Sequence, residues 1–137
     1  MRQILLLLAL VYSMKSMPQQ ISYIEETSSW YIIYDQDGKR VRSFNPSQGK
    51  LVAYTSTFYI IRQGNSWYYT YDIKGNRIHT FSIASTGEIL SASGDTFTTK
   101  FGNSWIYTWT KDGKRISTRS TAARYVRGKI FTAMGLR

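Results

Sequence analysis

Residues 66–77 read SWYYTYDIKGNR, and this stretch decides the fold because the chain carries it in three related copies. The other two copies are SWYIIYDQDGKR at 29–40 and SWIYTWTKDGKR at 104–115. Their tryptophans, Trp30, Trp67 and Trp105, lie 37 and 38 residues apart. A fixed period of this length indicates a repeat protein, in which each unit buries its apolar face against its neighbours.

Each repeat has the composition of short strands joined by tight turns. Tyr, Trp, Thr and Ile favour strands, while Asp, Asn and Gly favour hairpin turns. In the second repeat, the sequence predicts strands at 67–72, 76–82, 87–92 and 96–101. Extended to the segment from Ile21, this predicts an all-β antiparallel meander of about eleven short strands in roughly three 37–38-residue repeats. A closed barrel, a prism and a small propeller-like ring all remain open as topologies.

Alternation along the strands predicts two chemically different faces. The first strand of each repeat places its aromatic residues on one face, and the next strand turns its arginines to the opposite face. One face is therefore expected to be aromatic and the other cationic. The aromatic residues are Trp30, Tyr34, Trp67, Tyr71, Trp105 and Trp109, and the cationic ones are Arg40, Arg42, Arg77, His79, Arg115 and Arg119.

These two sets are the candidate site residues. The aromatic set is interpreted either as core or as a platform on which sugar rings or bases stack. The cationic set is interpreted as a binding face for polyanions, or as ordinary solvated residues of an exposed strand face.

Composition excludes several classes of function. The chain has 137 residues, which favours one domain, and its net charge is 18 − 8 = +10. It has no cysteine and a single histidine, His79, so disulfide frameworks, thiol nucleophiles and multi-histidine metal sites are excluded. Most of its acidic residues fall in hairpin turns, where they cap backbone N–H groups. We therefore expect no catalytic residues, no metal and no cofactor, and a protein that is not an enzyme.

The two ends differ from the repeats. Residues 1–20 are interpreted as a signal peptide or hydrophobic leader, because Arg2 precedes the apolar run ILLLLALV at 4–11. That run is too short for a transmembrane span. Residues 21–120 form the β-repeat domain, and 121–137 form a basic C-terminal extension. Cleavage of the leader predicts a secreted or cell-surface protein, whereas retention predicts a virion or cytoplasmic one.

The motifs SWYYTYDIKGNRIHTFS and SWIYTWTKDGKRISTRS also carry a family resemblance. With their W-Y-x-x-Y-D-x-x-G-K pattern, they resemble a group of small aromatic β-repeat proteins of gut Bacteroidetes and the crAss-like phages that infect them. The resemblance covers residues 21–120 and implies a compact β-repeat module, exported or virion-associated. It implies no activity and no functional residue.

The sequence favours a non-enzymatic binding or assembly module, because a repeated surface suits multivalent contact whereas catalytic sites are asymmetric. Its expected partner is another protein or a second copy of itself. One alternative is binding of carbohydrate, such as a cell-surface glycan that can be anionic, through exposed Trp and Tyr. A further alternative is binding of nucleic acid or another polyanion through the basic face.

Overall fold

The computed structural model describes residues 18–121, which fold into eleven antiparallel strands with almost no helix. The sequence prediction of an all-β protein with about eleven strands is confirmed. A 3₁₀ turn at Pro46–Gln48 and a short helix at Ile83–Thr86 interrupt them. The strands are β1 (Ile21–Glu26), β2 (Tyr31–Asp35), β3 (Arg40–Phe44), β4 (Lys50–Tyr54), β5 (Tyr59–Gln63), β6 (Trp67–Tyr71), β7 (Arg77–Ser82), β8 (Glu88–Ser93), β9 (Thr96–Phe101), β10 (Trp105–Thr110) and β11 (Arg115–Ser120).

In the described residues, the strands form three open sheets and not a closed barrel. The first sheet is β1-β2-β3, the second is β4-β5-β6-β7 and the third is β8-β9-β10-β11, each a meander of neighbouring strands. The sequence repeat therefore begins in the middle of one sheet and ends in the middle of the next. The chain changes sheets at the 3₁₀ turn and at the short helix, because these connections do not allow the flanking strands to pair as a hairpin.

The second sheet lies between the other two. Successive side chains of a strand point to opposite faces, and β5 is buried on both. Tyr59 and Ile61 join the apolar cluster shared with the first sheet. Phe58 and Ile60 join the cluster shared with the third sheet, and neither exposes any surface (0%). We call these two contacts the first interface and the second interface.

A β-bulge at the end of each Trp-containing strand alters the expected faces. In the second sheet, Thr70 lies opposite His79 but Tyr71 lies opposite Arg77, so Ile78 is an extra residue. The same shift places Tyr34 opposite Arg40 and Trp109 opposite Arg115. Residues directly opposite in an antiparallel pair share a face. The prediction of separate aromatic and cationic faces is therefore wrong, because the bulge brings each arginine onto the aromatic face.

Two of the predicted segments fall largely outside the described residues. The leader is described only at residues 18–20, and the basic extension only at Thr121. Within the part of the chain that the structure describes, no helix is long and apolar enough to cross a membrane.

Candidate functional site: a cationic cleft between the first two sheets

A cleft of about 400 Å³ opens at the first interface. One wall comes from the first sheet and the 3₁₀ turn that follows it, and the other comes from β5, β6 and β7 of the second sheet. The walls combine aromatic, amide and guanidinium groups. The lining residues are Arg42, Gln48, Tyr59, Gln63, Tyr69, Tyr71, Gly75 and Arg77.

Arg77 lies along the tyrosine wall of the cleft. Its guanidinium carbon is 3.9 Å from the centre of the Tyr69 ring and 5.8 Å from that of Tyr71. One guanidinium nitrogen also donates a hydrogen bond to the Tyr71 hydroxyl, at 3.4 Å. The bulge opposite Tyr71 is what allows this stacking. Because the side chain is exposed, its remaining N–H groups are open to a ligand.

Arg42 enters the cleft from the first sheet. Its Nη1 donates to the Lys74 carbonyl oxygen at 2.9 Å, and the guanidinium lies against Gly75, where a Cβ atom would collide with it. The Phe44 ring centre is 6.0 Å from the guanidinium carbon. Its Nε is buried and has no hydrogen-bond partner. An unsatisfied donor on a charged group is costly, so this arginine is held in a position that stability alone does not favour.

Tyrosines form the floor of the cleft. The ring of Tyr59 is stacked between Phe44 and Tyr71, with centroid distances of 5.3 Å to each. Burial away from water raises the pKa of Tyr59 to about 12, so its hydroxyl stays a neutral donor at physiological pH. Tyr69 donates its hydroxyl to Gln63 Oε1 at 2.6 Å, which fixes the side-chain amide at the mouth of the cleft.

The cleft is electrically unbalanced. Its lining contains two guanidinium groups and no carboxylate. Among residues 18–121, the one ion pair joins Lys111 to Asp95 in the third sheet, far along the array. Arg42 and Arg77 therefore keep their full positive charge toward the cleft, and the site attracts anions.

The three repeat tryptophans lie at the surface. Trp30, Trp67 and Trp105 expose 45%, 43% and 43% of their area, so the core alternative does not hold for them. Trp67 shares a face of β6 with Tyr69 and Tyr71, because these residues alternate along the strand. It therefore extends the aromatic wall beyond the cleft.

The remaining candidates are dispersed over the array. Arg40 and Tyr34 lie on the outer side of the first sheet, opposite each other in β3 and β2. Arg115 stacks on Tyr107 in the third sheet, at 4.5 Å. Arg119 is exposed on β11, the edge strand of that sheet. The structure therefore brings together Arg42, Arg77 and Tyr71 from the predicted sets, and it separates the others from the cleft.

His79 and Trp109 belong to the second interface. The His79 imidazole lies over Gly113, with 2.5 Å between its Nε2 and an ideal Cβ there. Trp109 is half-buried and donates from Nε1 to the Thr99 hydroxyl at 3.0 Å. Both side chains serve packing between the second and third sheets.

Sequence reasoning missed Gln48, Tyr59, Gln63 and Tyr69 as cleft residues. A signal was present in the comparison of repeats. Tyr59 and Gln63 occupy the positions of Phe97 and Phe101, so the first interface replaces two phenylalanines with polar side chains. Such a local loss of apolar character is typical of a site rather than of a core.

The described residues offer no metal centre. No group of three or more His, Cys, Asp or Glu side chains converges among residues 18–121. The cleft lining contains amides, phenols and guanidiniums, which bind by hydrogen bonding and charge.

Comparison with known proteins gives no assignment. No protein-family model matches the chain. No curated protein matches it at a significant level.

Proposed function

We propose that this protein is a non-enzymatic binding module whose cleft takes an acidic saccharide. The observation that carries the proposal is the pair of guanidiniums, Arg42 and Arg77, which face the same cleft without a carboxylate partner. A carboxylate or sulfate group would supply the missing charge and accept two parallel N–H donors from either arginine.

The rest of the lining suits a sugar ring. Tyrosine rings offer apolar surface to the C–H face of a saccharide, and their hydroxyls together with the Gln48 and Gln63 amides offer donors and acceptors for its hydroxyls. A volume of about 400 Å³ falls within the range of about 300–1,000 Å³ that is usual for small-molecule sites. Exposed Trp67, on the same strand face, would extend contact to a neighbouring sugar unit.

A nucleic-acid ligand is supported less well. Bases bind single-strand sites by stacking on open aromatic faces. In the cleft, the Arg77 guanidinium already covers Tyr69, and Tyr59 exposes only 2% of its surface. The aromatic faces are therefore occupied, while the hydrogen-bonding edges remain available.

The test measures calorimetric binding of a short oligogalacturonate to the full chain at physiological ionic strength. Arg77→Gln is expected to weaken binding about 10- to 100-fold, because a hydrogen bond to a charged group contributes about 1.5–3 kcal/mol. Arg115→Gln is the matched control, since Arg115 holds the same repeat position and stacks on Tyr107 outside the cleft.

Three comparisons make the test decisive. A neutral malto-oligosaccharide of the same length should not bind, and a heparin oligosaccharide distinguishes sulfate from carboxylate preference. If Arg77→Gln and Arg115→Gln weaken oligogalacturonate equally, general attraction to a basic protein explains the binding and the cleft proposal fails. Oligo(dT) binding with the same dependence on Arg77 would transfer the site to nucleic acid.

A further inference from the structure

The first sheet has one strand fewer than the others among the described residues. It contains β1, β2 and β3, whereas the second and third sheets each begin with an additional strand, β4 or β8. The registers make β1 the counterpart of β5 and β9, because Glu26 lies opposite Tyr31 just as Arg62 lies opposite Tyr68. In residues 18–121, β1 pairs only with β2, so its other edge is free to accept a strand.

The chain carries the sequence of such a strand beyond the described residues. Residues 128–133 read GKIFTA, which matches GKLVAY at 49–54 and GEILSA at 87–92. Those two segments form β4 and β8. The likeness continues into the following turn, where Gly135 corresponds to Gly94.

Charge favours pairing of this segment with β1. In the third sheet, Glu88 lies opposite Lys100, and in the second sheet Lys50 lies opposite Arg62. The same register would place Lys129 opposite Glu26, an opposite-charge cross-strand pair, which stabilises an antiparallel ladder.

The outer face of the first sheet is also prepared for a neighbour. Tyr23 is 53% exposed and stacks on Tyr34 with a centroid distance of 6.4 Å. Tyr59 and Tyr71 form the same pair in the second sheet, where Phe44 of the first sheet covers it. The first sheet thus presents an uncovered copy of an inter-sheet contact.

The hairpin glycines follow the same pattern. Gly75 is covered by Arg42, and Gly113 is covered by His79, each from the preceding sheet. Gly38 of the first sheet has nothing within 4 Å of the position of a Cβ atom. At the other end of the array, Ser117 and Arg119 occupy the repeat positions of His79 and Phe81 on the third sheet.

We propose that a second copy of this chain docks on the first sheet and donates its residues 128–133 as the strand beside β1. Its third sheet then faces Tyr23, Tyr34 and Gly38, and continues the array by the same contacts that join the sheets within one chain. The donor is a second copy because the second sheet separates the outer faces of the first and third sheets. A contact of this kind joins unlike surfaces, so it produces a closed ring or a filament.

The absence of cysteine from the chain allows a direct test. Glu26→Cys protein is mixed with Lys129→Cys protein and oxidised gently, and products are resolved by intact mass. Directly opposed residues have Cα atoms about 4.5–5.5 Å apart, which a disulfide can span. We expect a disulfide-linked dimer containing one chain of each type.

The control mixes Lys129→Cys protein with Asp37→Cys protein, whose thiol lies in the hairpin turn of the same sheet and should give little crosslinked product. A double Glu26→Cys, Lys129→Cys chain that closes on itself as a monomer would overturn the proposal in favour of pairing within one chain. Equal crosslinking in both mixtures, or none in either, would also overturn it.

Light scattering of the wild-type chain gives an independent measurement. We expect a mass that is a multiple of 15.8 kDa, and Glu26→Lys should shift it toward the monomer because Lys129 would then face a like charge. A wild-type chain that stays monomeric at the concentrations of the crosslinking experiment would contradict the proposal. None of these readouts depends on the cleft, so this proposal and the saccharide proposal fail separately.

Discussion

The two inter-sheet interfaces use the same repeat positions for different purposes. The second interface is filled, with Phe81 packed edge-on against Phe97 at 5.1 Å and against Trp109 at 5.8 Å. The first interface opens into a cleft. The residues that differ at matched positions are Arg42, Tyr59, Gln63 and Tyr71 in the first, and His79, Phe97, Phe101 and Trp109 in the second.

Hydrogen bonding differs in the same direction. At the second interface, the Thr99 hydroxyl accepts from Trp109 and donates to the Thr86 carbonyl oxygen at 2.7 Å, so the buried polar groups satisfy each other. At the first interface, Arg42 Nε stays without a partner. The comparison teaches that one interface stabilises the array, while its neighbour leaves polar groups free for a ligand.

The largest expected effect is on the filled interface. Phe97 exposes 1% of its surface, and Phe97→Ala should lower the free energy of unfolding by about 3–5 kcal/mol, because it leaves a cavity in a closed core. Tyr71→Ala at the cleft should cost less than about 2 kcal/mol, since Tyr71 is half-buried beside open space. Urea unfolding followed by circular dichroism measures both. Equal losses would remove the distinction between the interfaces.

A middle-sized effect is expected at the hairpin glycines. Gly38, Gly75 and Gly113 have φ values of +77°, +88° and +108°, so alanine is strained at all three. Gly75→Ala and Gly113→Ala would also displace Arg42 and His79. Both should lose about 1 kcal/mol more than Gly38→Ala, which measures the backbone cost alone.

The excess at Gly75 carries a second readout. Displacing Arg42 from the Lys74 carbonyl should weaken oligogalacturonate binding, whereas Gly113→Ala should leave it unchanged. If Gly38→Ala is as destabilising as the other two, the side chains over the glycines contribute nothing to the interfaces.

The smallest expected effect concerns alkaline pH. The pKa of Tyr59 is raised from 10.0 to about 12 by burial, so the folded state binds its proton more tightly than the unfolded state. Its stabilising contribution is complete below pH 10 and is lost as the pH rises from 10 to about 12. Tyr59→Phe, which copies Phe97 of the other interface, should reduce this alkaline loss of stability.

Tyr59→Phe should reduce the loss and not abolish it, because burial also raises the pKa of Tyr68. Thermal unfolding between pH 9 and 12 measures the difference, and Tyr23→Phe on the exposed outer face serves as a control. A curve for Tyr59→Phe that coincides with the wild type would show that Tyr59 does not resist ionisation.

Local chemistry made the strands predictable. The predicted strand 67–72 is observed as Trp67–Tyr71, and 96–101 is observed as Thr96–Phe101. Asp-Gly and Lys-Gly turns leave the chain few ways to reverse, and alternating aromatics leave few ways to bury a face. Strand number and hairpins therefore follow from residues that are close in sequence.

The faces and the sheet boundaries depend on longer-range geometry. A bulge of one residue at Ile78 moves Arg77 onto the tyrosine face, and no residue type at that position announces it. Trp67 was expected in the core in one interpretation, but its place at the strand end leaves it at the surface. The cleft arises from two sheets meeting, so residues 15–20 positions apart along the chain had to be placed before Tyr59 could be recognised as its floor.

The division of each sequence repeat between two sheets has a genetic consequence. Deleting residues 67–104 would join Ser66 directly to Trp105, so that β4 and β5 would run into β10 and β11 as one four-stranded sheet. The hairpins and the connections between sheets would be preserved, because the joined segments hold the same repeat positions. Recombination between its own repeats can therefore shorten or lengthen this gene by whole sheets, with a foldable product at each step.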